Sequence, residues 1–309
     1  MKQDLDPTHW QDRKRPNWWK FMERLPAAVV ALQIVGADVR ATELWIGAGT
    51  TSITPDEPVA LAGHRKLRVS NKIESPVTAT ALALESRREN EILDQAIIVS
   101  CDLIAIRHGV LEKVREKIKP RLPDFDTRKL ILCATHTHNA PVMMLGRYTL
   151  PESGVMTPDR YVEFMTNRVA NVVVASWNQR QPGKAAWGQG QAVVAHNRRA
   201  VYADGSARMY GATNKGSFRG MEAAEDHDLD VLFFWNRDDR LLATAINVAC
   251  PAQEKEGGRS MHADFWHPVR ESLRKRYGDE LHVLAMTGAA GDQVSRPQFN
   301  KRADHRARM

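Results

Sequence analysis

Thr135-His136-Thr137-His138 is the segment of this chain with the strongest chemical potential. On an extended backbone, side chains two positions apart share a face, so His136 and His138 would stand side by side. Imidazole is a good ligand for zinc, and a neutral ring exchanges protons near pH 7. An isolated His-x-His is equally compatible with two strand-end histidines satisfied by backbone groups, so its neighbours must decide. Asn197-Arg198-Arg199, ahead of VYADGSARMYG, reads as a loop or hairpin whose arginine could hold an anionic or carbonyl oxygen, or as a surface charge pair. SMHADFWHPVRESL carries His262, Asp264 and His267 at a helix start, where Asp264 could cap the helix or orient a metal-ligating histidine. In GAAGDQVSRP, a tight turn around Gly288, Gly291, Asp292 and Ser295 could aim backbone amides and a hydroxyl at a substrate carbonyl. Asp226, Asp228 and Asp230 alternate, but lack the glycine and closing glutamate of a calcium loop.

The elements that must position these groups are legible from periodicity. AIIVSCDL and KLILCAT are apolar runs on either side of HGVLEKVREKIKPRL, which has helical spacing; together they read as a βαβ unit with two interior parallel strands. LWIGAGTTSITP suggests a strand running into a tight loop, and PVTATALALES another strand. A long helix is expected over Pro158 to Asn178, with Val162, Phe164, Met165, Val169 and Val172 on one side. LDVLFFWN, LLATAINVAC and HVLAMTG are strand-like, with a helix around Trp266 to Tyr277. The expectation is one large α/β domain with a mixed, largely parallel central sheet flanked by helices. Open α/β sheets bind ligands beyond the carboxyl ends of their strands. Asp102, the THTH histidines, Cys250 and Asp292 all follow strand ends, so four strands would deliver polar groups to one edge.

Bulk properties narrow the function classes. With 309 residues, 43% of them hydrophobic, the chain can bury a substantial core. Most of the net charge of +7 sits in the two ends, which leaves the body nearly neutral and argues against a specific nucleic-acid partner. Three scattered cysteines make no disulfide framework. The apolar stretch Leu25 to Gly36, interrupted by Gln33, is too short to span a bilayer, and no clear export signal precedes it. A cytoplasmic protein is expected; a different start codon would admit a secreted or periplasmic one. The oligomeric state is not encoded in any pattern we recognise. Residues 1–43 read as an N-terminal arm, 44–297 as the folded domain, and 298–309 as a basic tail that could open a further C-terminal segment.

Taken in order, IGAGTTSITP, AGH (where the family often has Gly-Tyr), VSCDL, ATHTHNAP, the NRR segment, DLDVLFFWN, INVAC, SMHADFWH and GAAGD resemble the N-terminal catalytic domain of the neutral/alkaline, non-lysosomal ceramidases over roughly Ile46 to Pro297. The resemblance implies a Zn2+ hydrolase acting on the N-acyl amide of a ceramide-like lipid. It implies His136 as a metal ligand and His138 as the neighbour that stabilises or protonates the reacting carbonyl. Arg198, with Arg199 second, is the implied substrate-binding arginine, and Asp292 and Ser295 belong to the Gly-Asp segment beside the metal. The family's second zinc histidine follows the INxxA-type strand, which here runs into Cys250-Pro251-Ala252; Cys250 or His262 would replace it. Asp102 and Asp264 would support ligands from behind. In GDQVSRP the serine spacing differs from the family's, and the glutamate and tyrosine ligands that the family supplies further downstream have no counterpart before Met309. Two alternatives keep open other functions: hydrolysis of a small polar amide or ester, and ligand binding by a metal-free homologue.

Overall fold

In the computed structural model, residues 42–299 are described, so the 1–43 arm and the 298–309 tail lie almost wholly outside the described residues. Eight strands form the main sheet: β1 (Glu43–Ser52), β2 (Thr78–Arg88), β3 (Glu91–Cys101), β4 (Leu130–Ala134), β5 (Gln181–Gln191), β6 (Asp228–Trp235), β7 (Leu241–Val248) and β8 (His282–Thr287). Their order is β8-β7-β6-β5-β1-β2-β3-β4. Three helices accompany them: α1 (Val110–Ile118), α2 (Pro158–Asn178) and α3 (Trp266–Tyr277).

The period-two alternation of β2 and β3 explains the layering. Ala79, Ala81, Ala83, Ile97 and Val99 point into a core shared with Val110, Val114 and Ile118 of α1 and with Met165, Val169 and Val173 of α2. Leu82, Leu84 and Ile98 point the other way, against Phe234, Ala243 and Leu284 of the sheet's opposite half. The sheet therefore folds over on itself, and α3 covers the far side of β7 and β8 through Trp266, Val269 and Leu273. Seven steps of the usual twist, roughly 20–25° each, rotate the last strand by about half a turn relative to the first. That rotation brings strand ends from both halves together. The carbonyl of Thr135, just past β4, accepts from the Ala252 amide at 3.1 Å and from Thr287 Oγ1 at 3.2 Å.

The expectation of a largely parallel sheet is corrected. Only β3–β4 and β7–β8 run parallel; the other five neighbouring pairs are antiparallel. For two of these pairs, β2–β3 and β6–β7, the reason is connection length, because a parallel pair needs a crossover whereas a hairpin needs only a turn. Glu89, at φ 56°, turns β2 into β3. Asn236 turns β6 into β7, its side-chain oxygen accepting from the amides of Asp238 and Arg240 at 3.0 Å each. The βαβ reading of β3-α1-β4 stands, but β4 is an edge strand, and its Ile131 is half exposed. No helix among the described residues is long and apolar enough to cross a membrane.

Candidate metal centre

The chain leaves β4 at Ala134, so the THTH residues lie in the loop beyond the strand rather than on it. His136 takes a left-handed backbone conformation at φ 63°. Turn geometry, not strand alternation, therefore brings the two imidazoles together, with ring centroids 5.1 Å apart. The loop is tied from behind: Thr135 Oγ1 reaches the Asp102 carboxylate at 3.4 Å, and Thr137 Oγ1 donates to the His262 carbonyl at 3.1 Å.

Two further loops meet it. The first carries Gly63 and His64. Gly63 sits at φ +92°, and a Cβ there would lie 2.4–2.6 Å from the His138 ring, so only glycine lets that ring pack against the backbone. Arg68 fastens the two loops together, donating to the carbonyls of Ala62 and His138 and, at 2.7 Å, to Asn139 Oδ1. The second loop, after Cys250, carries Gln253 and Glu256. Asp264, itself left-handed at φ 56°, accepts the amides of Glu254, Lys255 and Phe265 at 3.0, 2.8 and 2.8 Å and so shapes this loop.

His64, His138 and Glu256 converge with one ligand atom of each within 4.8 Å of the others. Two imidazoles and a carboxylate form the donor set that holds a catalytic divalent transition metal while leaving a coordination position open. The protonation pattern suits it. His136 Nδ1 lies 2.8 Å from the Ile104 carbonyl, which can only accept, so Nδ1 carries the proton and Nε2 a lone pair. His138 Nδ1 lies 3.1 Å from the Glu256 carboxylate, and its Nε2 is contacted by the Gln253 side-chain amide and stands 3.4 Å from His136 Nε2. Burial lowers the pKa of His136, with the nearby His138 adding to the shift; burial, then Arg68, does the same to His64. The bond from His138, outweighing partial burial, holds the Glu256 carboxyl below its ordinary value. Neutral imidazoles beside an ionised carboxylate are what a cation requires.

The pocket around these groups, about 390 Å³, is also walled by Arg65, Arg198, Tyr210 and Gln253. Arg198 is held by neutral acceptors, Nη1 on the Tyr210 hydroxyl and Nη2 on the Gly291 carbonyl at 2.9 Å. Asp292 positions this arginine rather than facing the pocket: its backbone carbonyl accepts the Arg198 amide at 2.8 Å, and its carboxylate accepts from Asn197 Nδ2 at 2.8 Å.

Of the residues singled out by sequence, the fold thus brings His136, His138 and Arg198 together. Arg199 pairs instead with Glu222, across the small sheet of Arg199–Tyr202, Ala207–Met209 and Phe218–Met221. Ser295 is buried and donates to Glu254 at 2.6 Å. Cys250 is buried in the core under α3, with its thiol pushed up to about 12 by desolvation first, and does not line the pocket. His262 is also buried outside it, between the Asp264 amide at 3.2 Å and the side chain of Asn139. Asp102 forms a two-pronged ion pair with Arg270 of α3, at 2.7 and 3.0 Å, and reaches the site only through Thr135. The Asp264 carboxylate shapes the Glu256 loop, while its backbone amide donates to the His262 ring, which lies outside the pocket. Sequence reasoning had noticed the AGH segment but not His64 as a ligand, and it passed over Gln253 and Glu256 altogether, since PAQEKEGG has neither periodicity nor a motif.

No family model matches this chain, and neither does any curated protein. Solved structures do resemble it, two of them ceramidases. One is neutral ceramidase from Pseudomonas aeruginosa, with TM-score 0.67, 17% identity, and coverage of 82% of this chain and 40% of that one. The other is a ceramidase complexed with C2, with TM-score 0.65, 18% identity, and coverage of 82% and 39%. This chain spans about two-fifths of the length of either. Over that span the fold is ceramidase-like, as the ordered motifs from IGAGTTS to GAAGD implied.

Proposed function

We propose that this protein is a metal-dependent hydrolase that cleaves an N-acyl amide bond. The observation that carries the reading is the convergence of His64, His138 and Glu256, with His136 beside them, in a pocket of a ceramidase-like fold. His64, His138 and Glu256 would hold the ion, and its donor set suits Zn2+. Bound there, zinc would supply a Lewis acid and a water of lowered pKa. His136 is fixed by Ile104 with its Nε2 lone pair toward the cluster, so this nitrogen takes the proton of the attacking water and returns it to the departing amine. Arg198 and the Tyr210 hydroxyl, on the opposite wall of the pocket, supply hydrogen-bond donors that hold an oxygen of the substrate and fix its orientation. Gln253, in contact with His138 Nε2 and 3.4 Å from Arg198, links the two sides of the site. The family resemblance implies the reverse division, with His136 on the metal and His138 on the carbonyl. We favour the present one because His138, not His136, meets His64 and Glu256.

Two substrate classes follow. The likeness to neutral ceramidase supports a ceramide-like N-acyl lipid. The pocket wall supports a small polar amide instead, since among the lining residues there is no aliphatic side chain to receive a hydrocarbon tail. Zinc-loaded protein should release amine from short-chain N-acyl substrates, stop when a chelator is added and resume when zinc is restored. Metal-saturated protein without turnover on either class would contradict the hydrolase reading.

A further inference from the structure

The pocket is positively charged by construction. Among its lining residues Glu256 is the one carboxylate, and it is engaged with His138. Against it stand Arg65 and Arg198, with Arg68 directly behind. Among the described residues, none of these three arginines has a carboxylate within ion-pairing distance; Arg198 spends Nη1 and Nη2 on a phenol, an amide oxygen and a carbonyl, and its Nε is buried without a partner. A partly buried guanidinium solvated only by neutral groups is costly unless an anion arrives to complete it.

Tyr210 adds an independent sign. It is a bulky residue at φ 54°, a backbone conformation that costs about 1 kcal/mol or more and tends to survive where it is used. Its amide donates to the Arg198 carbonyl at 2.6 Å, and its hydroxyl accepts from Arg198 Nη1, which leaves the phenolic proton free to be donated. Arg198 and Tyr210 therefore form one preorganised donor pair on the pocket wall.

We propose that the physiological substrate carries a carboxylate beside the scissile amide, so that the enzyme acts on N-acyl amino acids rather than on neutral N-acyl lipids. Arg198 and Tyr210 bind that carboxylate, and Arg65 at the mouth raises the local concentration of anions. The assignment of a substrate rests on the hydrolase reading; the recognition of a carboxylate does not.

The test is calorimetric binding to the full zinc-loaded chain of N-acetylglycine, of its neutral amide N-acetylglycinamide, and of inorganic phosphate. N-acetylglycine is expected to bind about ten-fold or more tighter than the amide, the effect of one charge-assisted contact. That preference should disappear in Arg198→Gln and shrink in Tyr210→Phe, a change that removes one hydroxyl and leaves the fold intact. A preference that persists in Arg198→Gln would mean that the carboxylate binds the metal alone, and the proposal falls. Equal affinity for the amide also overturns it, as does phosphate binding tighter than N-acetylglycine. Selective binding of N-acetylglycine without any hydrolysis would keep the carboxylate site and reject the hydrolase.

Discussion

Within the pocket, residue identity acts through backbone geometry as much as through side-chain chemistry. THTH was legible as a cluster because two imidazoles so close in sequence cannot lie far apart in space. The manner of their meeting was not legible, since it depends on the left-handed turn at His136 and on the contact between His138 and Gly63. His64 and Glu256 escaped notice for a related reason. Each lies on a loop whose shape is set by side-chain bonds to backbone groups that no sequence period announces, from Arg68 in one and Asp264 in the other. Gly63→Ala tests that dependence directly. The new methyl would collide with the His138 ring and strain a backbone that L side chains rarely adopt. Zinc affinity, measured by competition with a chromogenic chelator, should fall by about 10–100-fold, the usual cost of misplacing a ligand. Unchanged affinity would show that His138 does not bind the ion.

Among the elements, the helices were plain from sequence because their buried positions repeat cleanly: Val110, Val114 and Ile118 in α1, and Tyr161, Met165, Val169 and Val173 in α2. β5 was invisible, because QPGKAAWGQGQ has no apolar alternation and is a strand only by pairing with β1 and β6. Two of the antiparallel pairs could have been read from the short links Glu89-Asn90 and Asn236–Arg240, but were obscured by the one strong βαβ signal; the other three join strands far apart in sequence. The glycines of IGAGTTS acquire a packing role that the motif alone did not reveal. A Cβ on Gly47 would fall 1.9 Å from the Ser176 carbonyl, so glycine there lets α2 lie against β1. Gly47→Ala should therefore destabilise the fold by about 3 kcal/mol, toward the upper end for overpacking, as read from chemical denaturation. A change within experimental error would mean that α2 leaves room for a methyl group over β1.

At the scale of the whole molecule, stability depends on the contact between the two halves of the folded sheet. His282 of β8 crosses that contact, its Nδ1 3.0 Å from Thr50 Oγ1 of β1, which in turn lies 3.1 Å from Thr80 Oγ1. Burial, then Arg274, lowers its pKa below the ordinary 6.5, with Glu280 opposing. A histidine kept neutral in this way contributes stability in full above pH 6.5 and loses it as the pH falls through the lowered folded value. Thermal unfolding temperature should thus decline on acidification below pH 6.5, and His282→Gln should flatten that decline; an unaltered slope would remove His282 as a cause. The ceramidase-like fold and a cluster of polar groups beyond converging strand ends were legible in the sequence, which expected the metal on His136, Cys250 and His262; the fold buries the last two outside the pocket. The central claim is that His64, His138 and Glu256 hold a metal with His136 as the proton acceptor, and zinc stoichiometry measured by mass spectrometry tests it most directly. After reconstitution and dialysis, the wild-type chain and His136→Ala should both retain about one zinc per chain, and His138→Ala should retain almost none. Zinc lost from His136→Ala and kept by His138→Ala would contradict the account.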